Sequence, residues 1–446
     1  MKFWKRLKKI HRPIALGLAL VMLVIAGYGA LQVSADTVGT RPSTGMICTE
    51  NATATFTLTA KEGYINLTDG NVVYMWSYAD GQDDFQHPGP ILCVNQGDLV
   101  TVVLHNELPD ATSIMFPGQS NVMANGEPVM PQYDANGQIT SLVQTAVPGG
   151  SVTYTFVADE PGTYAYESGT NPGIQVQMGL FGALIVRPTM GPNYAYNNAD
   201  TIFNPDTEYI LMLSEIDPIL HTAIERGDPF DMKDYKARYF LINGRTFPDT
   251  IAPNNASWLP NQPYGALAHI SPHDPNPFLA DGTTPNPAYN PDPALARYLG
   301  FGLKDYPFHP HAFNSRVIAR DGRLLKGPLG EDIAYERFSL PIGPSQTTDA
   351  IFSWTDVEGW DPNDPTKPLP VNIPGDQNLS FGLFYGSPFL GNNDQLPVGT
   401  ASFNQCGEFY HIAHNHALQQ ITGWGVVLVG QVTFTRIDPP LPNNCP

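Results

Sequence analysis

Short runs of apolar or alternating apolar and polar residues, each bounded by Gly, Pro or Asn, recur along this chain and predict β-strands. In the first half they fall at residues 53–59, 71–78 and 99–104, then at 112–116, 152–157, 162–167 and 179–187, with a turn, strand and turn over 89–98. Short strands separated by turn signals in this way predict a Greek-key sandwich ending near residue 190. A polar link at 193–207 leads to a strand at 208–214. Residues 260–293 are dense in Pro, Asn and Asp and poor in apolar side chains, which predicts a long surface excursion rather than a domain. Strands resume from residue 299, in the segment holding His309 and His311 and then at 316–320, 348–354, 408–416 and 425–436. Both halves end alike: 162–186 and 407–429 each run from an aromatic strand through a glycine turn to an apolar strand, as a duplicated unit would.

Composition narrows this pattern to an all-β class. Pro (43), Gly (41), Phe (22) and Tyr (20) are abundant and only 15% of residues are charged, which suits short strands and long turns. An α/β fold fits poorly, because amphipathic helices do not alternate with buried strands and there is no glycine-rich phosphate loop. At 446 residues two full cores are expected. They are placed at 36–190 and at 208–438, the latter with the insertion near 260–293.

Residues 1–35 read as a targeting segment. Lys2, Lys5, Arg6, Lys8, Lys9 and Arg12 form a basic head, 13–33 is apolar apart from glycines and Gln32, and Val33-Ser34-Ala35 suits a signal peptidase cutting before Asp36. The alternative is an uncleaved N-terminal anchor, since about 20 apolar residues also span a bilayer. Either way the body is expected outside the cytoplasm: secreted, periplasmic or at the cell surface. Cleavage would remove six positive charges and no acidic ones, taking the formal charge from −19 to −25. Nucleic acid is therefore excluded as a partner, there being no basic patch to meet phosphates, and a membrane contact is expected only through an uncleaved segment. The acidity is spread through turns such as 80–84 and 356–364 and reads as a solvated surface, with calcium binding as the alternative. Cys48, Cys93, Cys406 and Cys445 all fall in the exported part and are expected as Cys48–Cys93 and Cys406–Cys445 bridges. The Asn-x-Ser/Thr triplets at Asn51, Asn66, Asn255 and Asn378 matter only in a eukaryotic secretory pathway.

Two histidine pairs carry the chemical signal: His309-Pro310-His311 and His414-Asn415-His416. Alternate side chains of a strand share a face, so each pair presents two imidazoles on one side, spaced for a metal. Four imidazoles, or three with water, suit copper, zinc, iron or nickel. His411 lies an odd number of positions before His414 and is expected to face away. His105 is expected to serve a turn, and His87, His221, His269 and His273 lie in proline-rich or loop sequence with nothing to favour ligation.

At this point a family resemblance enters. Residues 104–108 (Leu-His-Asn-Glu-Leu) with 113–118 (Ser-Ile-Met-Phe-Pro-Gly) resemble the first copper loop of multicopper oxidases, extracellular enzymes built of cupredoxin domains. Residues 162–169 with 177–186 resemble the second loop, 306–311 (Tyr-Pro-Phe-His-Pro-His) the third, and 408–416 the fourth. The resemblance implies two cupredoxin-like Greek-key sandwich domains with long Pro/Asn/Asp-rich loops and a metal site of His309, His311, His414 and His416 between them. It also implies departures. Met115, Pro117, Glu167 and Gly169 stand where the family's first two loops give histidines to a three-copper cluster. Tyr306 stands in place of a blue-copper histidine, and Asn415 in place of its cysteine. Without a thiolate no blue-copper centre is expected. Glu167 would face the site as a fifth ligand, a general base, a partner of a ligand, or an interdomain hydrogen bond.

The expected function is thus a copper-binding oxidoreductase acting on a small molecule or a metal ion, with zinc, iron or manganese as alternative metals. The competing expectation is a non-catalytic cupredoxin scaffold, metal-binding or structural at the cell surface.

Overall fold

Strand faces follow from alternation, and the pairing registers keep each apolar set on one side. Leu99–Asn106 and Ser151–Val157 both alternate between outward and buried positions. They pair antiparallel so that Val100 opposes Phe156, Val102 opposes Tyr154 and Leu104 opposes Val152, all buried. The structure, a computed structural model, describes residues 45–311, 314–354, 409–438 and 440.

Among the described residues four larger sheets make two sandwiches. In the first, a sheet ordered Thr49–Glu50, Leu92–Asn95, Phe181–Arg187, Gly162–Glu167 faces one ordered Val72–Asp80, Thr55–Asn66, Leu99–Asn106, Ser151–Val157, Met123–Ala124, Glu127–Pro128. Phe56, Trp76, Leu92, Phe116, Tyr154 and Leu184 fill the space between them. In the second, one sheet runs Tyr239–Ile242, Glu208–Ile216, Ala294–Gly300, Thr347–Phe352, Ser315–Arg320, Arg323–Leu324, with Tyr335–Arg337 also beside Ser315–Arg320. It faces a sheet ordered Ala268–Ile270, Val432–Ile437, Phe409–Asn415, Tyr306–Pro310, Leu340–Ile342. Leu211, Leu213, Tyr298, Phe308, Val317 and Phe434 form this core.

Where the sandwiches meet, strands are buried on both faces, so they read as nearly continuous apolar runs: Phe181–Arg187, Glu208–Ile216 and Ala294–Gly300. Ile91, Phe181, Ala183 and Ile185 of the first pack against Ile210, Met212, Leu299 and Phe301 of the second, and the rings of Phe181 and Phe301 stack at 4.1 Å and 11°. A buried charge network lies beside this apolar contact. Arg297, 1% exposed, donates from Nε to Glu208 (2.7 Å) and from Nη1 to Thr163 (2.7 Å) and Asp349 (3.4 Å). Arg187 also reaches Glu208 (2.7 Å), and Tyr196 donates to Asp349 (2.5 Å). Two cations thus meet two carboxylates, and Thr163 and Arg187 bring the first sandwich into the network.

Several expectations need correction. Residues 112–116 are not a strand: Thr112 bridges Ala146 and Met115 bridges Glu167 singly, and Pro117 with Gly118 (φ 88°) turns the chain away. Two short helices that the strand pattern did not place, Pro172–Met178 and Pro218–Arg226, lie within the all-β fold. The second has the full set of end signals, with Asp217 accepting from Ile219 N–H (3.0 Å), Pro218 in the first turn, and Gly227 at φ 70° after it. His221 therefore sits on a helix rather than in a loop. The excursion contains a strand, Ala268–Ile270, paired parallel with Val432–Ile437, and the next strand begins at Ala294 rather than at 299. Residues near 250–262 are ordered around buried Arg245, whose guanidinium donates to the carbonyls of Gln262, Ala252 and Pro253. Cys48 and Cys93 are bonded as expected; Cys406 and Cys445, the targeting segment, the 356–364 acidic turn and Asn378 lie outside the described residues. Among the described residues no helix is long and apolar enough to cross a membrane.

Arg297→Met should lower the unfolding free energy by about 3–5 kcal/mol, because it leaves two buried carboxylates facing one guanidinium. Denaturant titration measures this, and a loss under about 1 kcal/mol would mean that water reaches the network. His87 and His221 are buried, and burial holds their rings down to about 3 and about 4. Below the ordinary value of 6.5 the unfolded chain takes up protons that the fold refuses. Stability should therefore fall as pH drops from 6.5 toward those values, by about 1.4 kcal/mol per pH unit for each ring. His221→Gln should flatten the urea midpoint against pH in that window; an unchanged slope would show the ring protonating inside the fold.

Candidate metal centre

The strand Tyr306–Pro310 has a strict two-residue rhythm, with Tyr306, Phe308 and Pro310 buried and Pro307 and His309 turned the other way. Phe409–Asn415 lies beside it antiparallel, with Phe308 opposite Asn415, His309 opposite His414 and Pro310 opposite Ala413. The ladder continues past both ends: His311 N–H donates to Ile412 (3.0 Å) and His416 N–H to Pro307 (2.7 Å). Because Phe308 and Ala413 are committed to the core, the pleat sends His309 and His414 to the opposite face, side by side.

The result is a cluster. The ligand atoms of His309, His311 and His414 all lie within 4.8 Å of one another. His416 is adjacent, its ring centroid 5.1 Å from that of His309 and 5.7 Å from that of His414. Nδ1 of His309 meets the Phe338 carbonyl (2.5 Å) and Nδ1 of His414 the Asn415 carbonyl (2.8 Å). Those carbonyls accept hydrogen bonds from Nδ1–H, which leaves Nε2 of each ring with its lone pair. Burial lowers the affinity of all three rings for protons, and the neighbouring imidazoles push His311 further, to about 3. They are neutral donors at ordinary pH, as metal ligation requires.

Nε2 of His311 and Nε2 of His414 are 3.0 Å apart. Nitrogen-to-metal bonds of about 2.0–2.1 Å place two donors of one ion at about that separation, so the residues present fit a transition metal.

Glu167 stands apart from this cluster. It is 6% exposed and its Oε1 accepts from Ser345 Oγ of the second sandwich, while burial pushes its carboxyl up. Of the roles considered from sequence, this geometry displays the hydrogen bond between sandwiches. His411 faces inward as expected, 1% exposed, its ring 4.4 Å from that of Trp354. His105 is the last residue but one of the strand Leu99–Asn106, and His269 pairs with Asp438 (2.5 Å). Phe338, which supplies the carbonyl for His309 and sets its own ring 5.4 Å from it, was missed, because a backbone acceptor leaves no signature in residue type.

Residues 60–191 match the family model described as Multicopper oxidase. The chain is 35% identical over 303 residues to an L-ascorbate oxidase of Cucurbita maxima, covering 63% of this chain and 45% of that protein. It is 30% identical over 292 residues to copper resistance protein A of Pseudomonas syringae pv. tomato, covering 60% and 43%. The chain thus spans less than half the length of these curated relatives. Its fold is shared with a solved structure described as multicopper oxidase mgLAC, with a TM-score of 0.54, 18% identity, and 88% and 86% of the two chains covered. It is also shared with a blue copper oxidase from Nitrosomonas europaea, with a TM-score of 0.53, 19% identity, and coverage of 86% and 85%. Both sandwiches are therefore cupredoxin-like.

Replacing His309, His311 or His414 by Ala should weaken copper binding, measured by titration calorimetry, by more than the about 10–100-fold that follows from disturbing a ligand's hydrogen-bond partner. Double replacements should add little to single ones. Affinity unchanged in the single variants would remove these rings from the ligand set.

Proposed function

We propose that this chain is an exported copper-binding protein of the multicopper oxidase family, with one site built from His309, His311, His414 and His416 and no blue-copper centre. It acts as an oxidoreductase on a small molecule or a metal ion. The convergence of three neutral imidazoles on one point carries this reading. Copper bound there would alternate between two oxidation states and so accept an electron from a reductant; zinc, iron and manganese are the alternatives for the ion. The chain's own part is to hold the four rings in one face of the sheet and to fix the tautomers of His309 and His414 through the carbonyls of Phe338 and Asn415.

The surroundings support a reduced site. Asn415, where the resemblance puts a thiolate, is fully buried and directs its amide to the side-chain oxygens of Gln420 and Gln431 (2.7 Å to the latter) while accepting from Ala417 N–H (2.8 Å). Tyr306 donates to Glu215. In the first sandwich, near Met115 and Gly169, the hydroxyls of Ser113, Ser141 and Thr170 bond to one another at 2.8–3.4 Å. Export rests on the basic and apolar head of the chain and on the Cys48–Cys93 bond. Domain limits of 36–190 and 208–438 belong to this reading, and the grouping of the described strands into four sheets supports it.

A second reading, a non-catalytic scaffold, is favoured by one observation, the tie of Glu167 to Ser345. The two readings separate by spectrum and metal content. Protein dialysed extensively and then analysed for elements should retain copper, melt higher than the metal-free chain, and be almost colourless. Intense blue absorption would place a thiolate in the site and overturn the assignment of Asn415. No retained copper and no change in melting would leave the scaffold.

A further inference from the structure

Glu215 is carried by the strand Glu208–Ile216 into the junction, where it is 2% exposed. Four donors converge on its carboxylate. Tyr306 hydroxyl donates to Oε2, and Oε1 accepts from Tyr235 hydroxyl (2.8 Å), Leu303 N–H (2.7 Å) and Gln177 Nε2 (3.3 Å). Gln177 also donates to the Tyr235 oxygen (2.8 Å) and so fixes it from the first sandwich. Tyr306 is fully buried; Tyr235 is half-buried, with the exposed Lys304 5.9 Å over its ring. Burial holds the Glu215 carboxyl up at about 7.

A phenol shut away from water loses an electron only if its proton leaves at the same time, because the charged radical is too acidic to persist. It therefore needs a base already hydrogen-bonded to its oxygen. Of the other buried tyrosines, Tyr78, Tyr166 and Tyr154 meet only carbonyls, of Ser113, Pro90 and Gln144, while Tyr74 and Tyr239 each donate to one exposed carboxylate, of Glu62 (2.5 Å) and Asp69 (2.7 Å), which water keeps a weaker base than a buried one. Tyr196 does meet a buried carboxylate, but Asp349 is bound to Arg297 and is a weaker base for it. Among the described residues only Glu215 joins two phenols, one inner and one reaching outward. The inner one lies three residues before His309 on the same strand, about 10 Å along it.

We propose that Tyr306, Glu215 and Tyr235 form a proton-coupled electron relay between the half-exposed Tyr235 and the histidine cluster. A copper(II) ion held by His309, His311 and His414 would take one electron from Tyr306 and become copper(I), while the O–H proton of Tyr306 passes to Oε2 of Glu215. The Tyr306 radical then takes an electron from Tyr235; the Oε2 proton returns to Tyr306 as the Tyr235 proton moves to Oε1. A reductant in solution that loses one electron and one proton restores Tyr235, which recovers its proton from Oε1, and the reductant's proton goes to water. Glu215 ends ionised, as it began. The relay rests on the copper reading only for its final acceptor.

The test uses the full chain without metal, oxidised by a flash-generated ruthenium(III) tris-bipyridine complex and frozen for electron paramagnetic resonance. A long-lived tyrosyl signal is expected, since a radical sealed from solvent cannot couple to another. Tyr306→Phe should abolish that signal, Tyr235→Phe should slow its appearance, and Glu215→Gln should slow it by about a hundredfold, the usual scale for removing a positioned base. The same signal in Tyr306→Phe, or formation as fast in Glu215→Gln as in wild type, overturns the relay. If Glu215→Gln does not fold, Tyr306→Phe decides alone. A buried tyrosyl in a chain that retains no copper upholds the relay and removes the copper reading; retained copper with no such tyrosyl does the reverse.

Discussion

A guanidinium sealed from water must find its counter-charges inside the fold, and Arg297 does so only in one arrangement of strands. It lies directly opposite Asp349 in one ladder, and in the other it opposes Ile210, two residues from Glu208 on the same face. Sliding either strand by one residue would turn these partners to the far side of the sheet. From the first sandwich Arg187 donates to Glu208, and Thr163 accepts from Arg297 and donates to Asp349, so the same charge that fixes the strand order also fixes how the sandwiches meet. Apolar burial at Phe181, Ile210, Met212 and Phe301 supplies attraction without direction. The ion network supplies the direction, at the expense of desolvating four charges.

The histidines depend on the same kind of constraint in the facing sheet. Phe308 and Ala413 belong to the second core, and every alternate residue beside them must point outward. That puts His309 and His414 next to each other without any local preference of histidine for the position. Their lowered proton affinity comes from the same placement, since half-burial against other imidazoles disfavours charge. Placement and protonation state thus have one cause.

Much of this was legible in the chain itself. Period-two alternation located Ser151–Val157 and Tyr306–Pro310, and spacing in the two His-x-His pairs foresaw a shared face. Loop 112–116 misled because its apolar residues alternate as a strand would, while its backbone partners are single bridges to Ala146 and Glu167. The helix Pro218–Arg226 carried an Asp-Pro start and a Gly stop that a reading committed to strands passed over. Arg245, Arg297 and Glu215 could not be found at all, since residue type says that charged side chains are outside. Only the registers that surround them make their burial tolerable.

The contrast between Asn415 and His414, adjacent residues on opposite faces, shows what separates a ligand set from a structural network. Around Asn415 on the inner face the side-chain amides answer one another. The Asn415 amide meets two glutamine oxygens, Gln420 Nε2 donates to Asp305 (3.0 Å), and Gln431 Nε2 donates to Ser214 and Leu241 (3.0 Å each). No lone pair there is left directed at empty space, so an ion would have to break bonds to enter. On the outer face the carbonyls of Phe338 and Asn415 engage only Nδ1, and the second nitrogens of His311 and His414 are turned toward each other. Two imidazoles can share one proton between them but gain more by sharing a cation. Closed amide pairing around Asn415 on one side of the strand, and facing imidazole nitrogens on the other, are why the proposed metal would sit with His414 and not with its neighbour.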